Sequence, residues 1–148
     1  MWNVLSGRPV GAGINDYDLL YFDDSDLSYE AEDQWIRRAA DAFSDLPAVV
    51  EVRNEARVHL WYEHKFGVPC APYVCVEDAI SRFAATTCAV GITPGGDRLQ
   101  VCAPYGFTDL FTLVVRPNPV LAPRHVYETK AARWRSEWPQ LTVLPWPE

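Results

Sequence analysis

The stretch GINDYDLLYF, residues 13–22, sets two aspartates two positions apart, Asp16 and Asp18, ahead of Leu19, Leu20, Tyr21 and Phe22. In an extended chain alternate side chains share a face, so Asp16 and Asp18 point one way and Tyr17 the other, with attachment points about 7 Å apart. Two carboxylates so placed can converge on a hard cation. Mg²⁺ prefers octahedral oxygen ligation, commonly from one or two carboxylates plus substrate phosphates, which is the chemistry of phosphoryl-transfer sites. The competing reading makes Asp16 a turn residue after Asn15 and Asp18 a solvated strand end. Two features weigh against it. The apolar residues follow the pair, so the aspartates open the strand, and the next expected strand, AVVEVR at 48–53, carries a third acid. There Glu51 and Arg53 share one face while Val50 and Val52 share the other, which leaves Glu51 on a polar surface that can adjoin the aspartates.

Around this stretch, 148 residues that are 49% hydrophobic and 13% aromatic can bury one core, so a single domain over 1–148 is expected. No apolar run approaches the ~20 residues that span a bilayer, and MWNVLSGRPV has neither a basic start nor a signal-length apolar segment. A soluble, cytoplasmic protein with no membrane partner is the expectation. Cys70, Cys75, Cys88 and Cys102 suggest neither a disulfide framework nor a zinc site. The formal net charge of −7 argues against a broad nucleic-acid surface, and Asp16, Asp18, Asp23, Asp24, Asp26, Glu30, Glu32 and Asp33 concentrate the acidity where a cation would bind. Asp23 to Glu30 lacks the glycine and the late glutamate of a calcium loop and reads as a solvated turn.

The element pattern begins with a strand over 19–22. Ser28 then caps a helix to about Phe43, with Ile36, Ala39, Ala40 and Phe43 toward the core and Glu30, Glu32, Asp33, Arg37 and Arg38 toward water. After the 48–53 strand, Asn54 caps a helix bearing Val58, Trp61, Tyr62 and Phe66 that stops before Gly67. A short helix at VEDAISRF precedes two antiparallel strands, TTCAVGI and RLQVCA, around the TPGGD turn. Thr108 caps a helix through DLFTLVVR, and a last helix spans 126–138 with Val126, Ala131, Trp134 and Trp138 inward. The order implies an α+β domain with a small mixed or antiparallel sheet flanked by helices.

Four blocks in order, GRPVGAGINDYDLLYFDDSDLSYEAED, VEVRNEARVHLWYEHKFG, CAPYGFTDLFTLVVRPNP and KAARWRSEWPQLTV, resemble a bacterial nucleotidyltransferase-like family of the polymerase-beta-type superfamily, similar to the head domain of CCA-adding tRNA nucleotidyltransferases. The resemblance implies that fold, and a metal-dependent transfer of a nucleoside monophosphate from an NTP to an unknown small-molecule or macromolecular acceptor hydroxyl. It implies two Mg²⁺ ions with the NTP, held by Asp16, Asp18 and Glu51, the same three residues being catalytic. Arg8, Arg53 and Arg57 are the candidate triphosphate contacts, because guanidinium forks match phosphate oxygens; pairing with surplus surface acids is the alternative. CAPYGFTDLFTLVVR corresponds to a stretch read as structural.

In the superfamily a first strand and a Gly-Ser turn precede the aspartates, and here MWNVL stands where the helix after that turn would end. The expectation is a fold lacking its first strand. That departure keeps open a second function of a different class, a non-catalytic nucleotide- or partner-binding domain. tRNA action is disfavoured by the acidic balance. His59, His64 and His125 are too scattered for a metal face. Trp2 is expected to lie partly exposed, as a candidate homodimer or aggregation surface.

Overall fold

The computed structural model describes residues 1–148. In chain order the elements are α1 (Trp2–Leu5), β1 (Asp16–Tyr21), α2 (Tyr29–Ala42), β2 (Val49–Asn54), a 3-10 helix (Glu55–Leu60), α3 (Tyr62–Phe66), α4 (Val76–Ser81), a 3-10 turn (Thr86–Cys88), β3 (Gly91–Gly95), β4 (Arg98–Cys102), α5 (Thr108–Phe111), β5 (Val114–Val115), α6 (Arg124–Glu137) and β6 (Thr142–Val143). This is an α+β chain whose strands form three two-stranded sheets. Residues Gly13–Val76 make one compact unit, and Met1–Ala12 with Glu77–Glu148 make another.

In the Gly13–Val76 unit, β1 and β2 run parallel, joined through α2 as parallel strands require a crossover. The strand begins at Asp16 rather than at Leu19, so both aspartates belong to the ladder. α2 starts where the capping signal lies, with Ser28 Oγ accepting from the Ala31 amide at 3.3 Å. Its inward face is narrower than the helical period suggests. Ala39 is buried, but Ala40 and Phe43 are exposed, and Glu32, expected in water, is buried. The reason is a polar lock. Glu32 accepts from the Asn54 amide at 2.8 Å and pairs with the guanidinium of Arg57, whose Nε also donates to Leu27 O at 2.9 Å.

Asn54 holds the end of β2. Its Oδ1 accepts from the amides of Asp23 and Ala56 and its Nδ2 donates to Asp23 O, so one buried amide fastens the β1–α2 turn and caps the following 3-10 helix. That helix and α3 stand where one longer helix is expected, and Gly67, at φ 74°, closes α3 in the left-handed conformation. The Asp23 to Glu30 run is a pair of Asx turns, with Asp23 accepting from Ser25 and Asp26 from Ser28.

The other unit is built on α6. Tyr127, Ala131, Trp134, Trp138 and Leu141 form its core with Ala85 and Val115, and Trp2 packs edge-on against Trp134 and Trp138 at 5.8 and 5.4 Å. Trp2 is half-buried, its Nε1 donating to Leu110 O. Asn3 Oδ1 accepts from Trp138 Nε1 at 2.9 Å and Arg8 bonds Glu137, tying the amino-terminal segment to the end of α6. The hairpin β3–β4 is antiparallel as the turn residues imply, although Thr86–Cys88 is a 3-10 turn and the strand starts only at Gly91.

The helix expected through DLFTLVVR stops at Phe111. Leu113 takes φ 59°, and Val114–Val115 pairs in parallel with Thr142–Val143 instead. Thr108 opens α5 without serving as a side-chain cap. In the stretch read as structural, Asp109 accepts from Arg116 Nε and Nη2 at 2.7 and 3.0 Å and from Thr86 Oγ1 at 2.8 Å, and these bonds hold its carboxyl below the usual range.

Candidate active site

The parallel register sets Asp16 opposite Val49, Asp18 opposite Glu51, and Leu20 opposite Arg53. Paired residues in a ladder point to the same side, so Asp16, Asp18, Glu51 and Arg53 share one face. Val52, on the opposite face, is buried, and β2 packs against α2. On that opposite face Val52 is buried while Tyr17 and Leu19 stay exposed, and the first face gathers charge. The adjacency of Asp18 and Glu51 follows from two period-two patterns brought into register by a crossover of fixed length.

On the charged face Arg53 Nη2 meets Glu51 Oε2 at 3.2 Å, both side chains being more than two-fifths exposed. Such an exposed pair is a weak tie. Arg57 stands differently. It is largely buried, bonded to Glu32 and Leu27 and stacked on the Tyr29 ring at 5.7 Å, so its fork is already committed to the fold. Arg8 belongs to the other unit, where it bonds Glu137 and lies over the Trp138 ring.

Glu55, the first residue of the 3-10 helix after β2, was not singled out from the sequence. It is 5% exposed. Burial pushes its carboxyl up to about 7; the negative charge of Asp18 adds to the rise and Arg53 opposes it, which places the group within electrostatic reach of both. Beyond it Tyr73, buried and hydrogen-bonded to Cys70, also feels Glu55 and is pushed well up by desolvation, and Tyr62 is pushed up to about 12.

No three His, Cys, Asp or Glu side chains stand close enough together to enclose a cation by themselves. Mg²⁺ takes one or two protein carboxylates and fills its remaining positions with water and phosphate oxygens. The donor set here, exposed aspartates with Glu51 opposite Asp18, is hard-oxygen chemistry that fits such an ion.

A nucleotidyltransferase family profile matches residues 1–143, and the chain belongs to that nucleotidyltransferase family. A solved structure described as "The NMR structure of the protein reveals a CCA-adding enzyme head domain" superposes with a TM-score of 0.75 at 24% identity, over 98% of this chain and 75% of that one. That likeness shows the nucleotidyltransferase fold. No curated protein matches the chain. No helix is long and apolar enough to cross a membrane.

Proposed function

We propose that the chain transfers a nucleoside monophosphate from an NTP to an acceptor hydroxyl, with Asp16 and Asp18 holding divalent cations. What supports the reading is the register that sets Asp18 beside Glu51 on the uncovered face of β1 and β2 in a chain of the nucleotidyltransferase family. Bound there, Mg²⁺ would neutralise the leaving phosphates and acidify the acceptor hydroxyl. Asp16 and Asp18 anchor the triphosphate through that charge. Arg53, exposed and weakly paired, turns from Glu51 to a phosphate oxygen, a charge-assisted contact that fixes the in-line geometry. Glu51, released by that turn, orients the acceptor hydroxyl. The acceptor oxygen then bonds the α-phosphorus as the bond to the oxygen bridging the β-phosphorus breaks. Pyrophosphate leaves with that electron pair, and the hydroxyl proton passes to the Glu51 carboxylate.

The test is Mg²⁺-dependent pyrophosphate release from NTPs offered with a panel of hydroxyl acceptors. Asp18→Asn should lower the rate by on the order of 100-fold or more while the circular dichroism spectrum stays unchanged. Unchanged turnover in Asp18→Asn removes the aspartates from the chemistry. Saturable Mg-ATP binding without turnover by the wild-type chain supports the non-catalytic nucleotide-binding reading instead.

A further inference from the structure

We infer that the outward face of the β3–β4 hairpin is a self-association surface, and that the partner it fits is a second copy of this chain, packed face to face across a two-fold axis. The hairpin lies outside the residues to which the proposed chemistry assigns a role.

The register of the hairpin decides which side chains share a face. Ile92 pairs with Val101 and Pro94 with Leu99, so these four project to one side, while Thr93, Gln100 and Cys102 project to the other, with Gly91 and Gly95. The second side is the one the fold uses. A Cβ on Gly91 would come within 2.5 Å of Ile80 Cδ1, so Ile80 packs against bare backbone there, and Gln100 lies over Gly95 so closely that a Cβ would meet its Cγ at 2.7 Å. The contact with Ile80 fixes the hairpin's orientation, since a one-residue slip would put Ile92 where only glycine fits. The side left outward is wholly apolar: Ile92 is 65% exposed, Leu99 69% and Val101 51%, and Pro94 is exposed with them. Four such side chains present on the order of 300 Å² of apolar surface, the size of patch that marks an interaction site on a monomer.

Shape and charge say what covers it. A strand added at the edge of the hairpin would extend the sheet and leave this face bare, whereas a second apolar sheet face stacked about 10 Å away covers it. A second copy supplies that face, because a two-fold axis sets the same patch against itself. Nothing in the patch repels its own image: the only charged residues of the hairpin, Asp97 and Arg98, are of opposite sign and stand at the turn, beyond the four apolar side chains. A lipid surface is the poorer occupant. Segments that lie on membranes flank their apolar face with several cations and aromatic rings, and this hairpin has one arginine, offset by Asp97, and no aromatic residue, in a chain of net charge −7. Area sets the strength. Two faces of this size bury less than the roughly 1,000 Å² of a permanent interface, so the pair forms and dissociates with concentration.

The experiment is sedimentation equilibrium of the full chain from micromolar to millimolar concentration, at low and at moderate salt. The expected result is a mass that rises with concentration from one copy toward two and levels there, with tighter association at the higher salt, where the net charge is screened. Leu99→Lys and Ile92→Lys change exposed side chains on the two strands, so the circular dichroism spectrum should be that of wild type while the dimer dissociation constant rises at least tenfold in each. Val74→Lys, at a residue 77% exposed in the other unit, is the control and should leave the constant within threefold of wild type. A single copy at every concentration overturns the inference, as does a dimer indifferent to both hairpin variants or weakened equally by Val74→Lys. A mass that climbs past two copies also overturns it, because a two-fold pairing closes. Co-sedimentation with phosphatidylcholine vesicles that Leu99→Lys abolishes would assign the face to a lipid surface instead.

Discussion

Glu32, on α2, and Arg57, in the 3-10 helix after β2, form a buried ion pair that joins the face of a helix to the end of a strand 25 residues away. The pair is nearly out of water, with side chains 5% and 11% exposed, and the second carboxylate oxygen is taken by the Asn54 amide. The lock fixes the turn of chain from which both Asp23 and the acidic face take their positions.

Removing one partner of such a pair leaves an uncompensated buried charge, which costs on the order of 3–5 kcal/mol. Arg57→Met should therefore lower the urea midpoint sharply, and the amides of Asp23 and Ala56, held through Asn54, should exchange faster with solvent. An Arg57→Met variant as stable as wild type would show that the pair contributes no net stability.

The raised carboxyl of Glu55 gives stability a definite pH dependence. A carboxyl near 4.5 in the unfolded chain and about 7 in the fold binds its proton more tightly when folded. Its contribution is then complete below about pH 4.5 and is lost as pH rises through 7, at a slope approaching about 1.4 kcal/mol per pH unit. Metal-free wild type should lose stability between pH 5 and 7, and Glu55→Gln should flatten that part of the profile. Equal slopes in the two proteins would place the titrating group elsewhere.

Tyr127 tests the other unit. Its hydroxyl lies 3.0 and 2.6 Å from the carbonyl oxygens of Val115 and Leu144, with its one proton directed between them, bridging β5 to the chain just beyond β6. Burial pushes that hydroxyl up to about 12, so it remains a donor at any ordinary pH. Tyr127→Phe keeps the ring in the core but takes the hydroxyl from the Leu144 carbonyl, while Val115 O keeps the Leu144 amide at 2.9 Å, a cost of roughly 1–3 kcal/mol. Thermal unfolding should detect it, and a loss below the error of the measurement would mean that water replaces the hydroxyl without penalty.

What the sequence reveals of this fold is what depends on near neighbours. α2 is legible because Ser28, the acids after it and the apolar period agree, and the β3–β4 hairpin because Pro94, Gly95 and Gly96 cluster between extended runs. The end of α5 is not, since Val114 and Val115 leave the helix for a partner strand nearly thirty residues on, an attraction no local window contains. The same division runs through the site. Asp18 and Glu51 could be set side by side from alternation alone. The burial of Glu32 and Glu55 is tertiary: a helical wheel puts Glu32 in water, and only Arg57 and the strand end explain why it is not.

The tie between Trp2, Asn3 and the end of α6 governs how this molecule emerges during synthesis. Asn3 is translated well before its partner, since the indole that bonds its side chain follows 135 residues later. Through most of translation the amino-terminal turn waits with its tryptophan uncovered, while Gly13–Val76 already contains every strand and helix that builds its own sheet. The nascent polypeptide is accordingly expected to mature from its interior outward, the acidic face taking shape before the first residues find their place, with holdase chaperones acting on Trp2 in the interval.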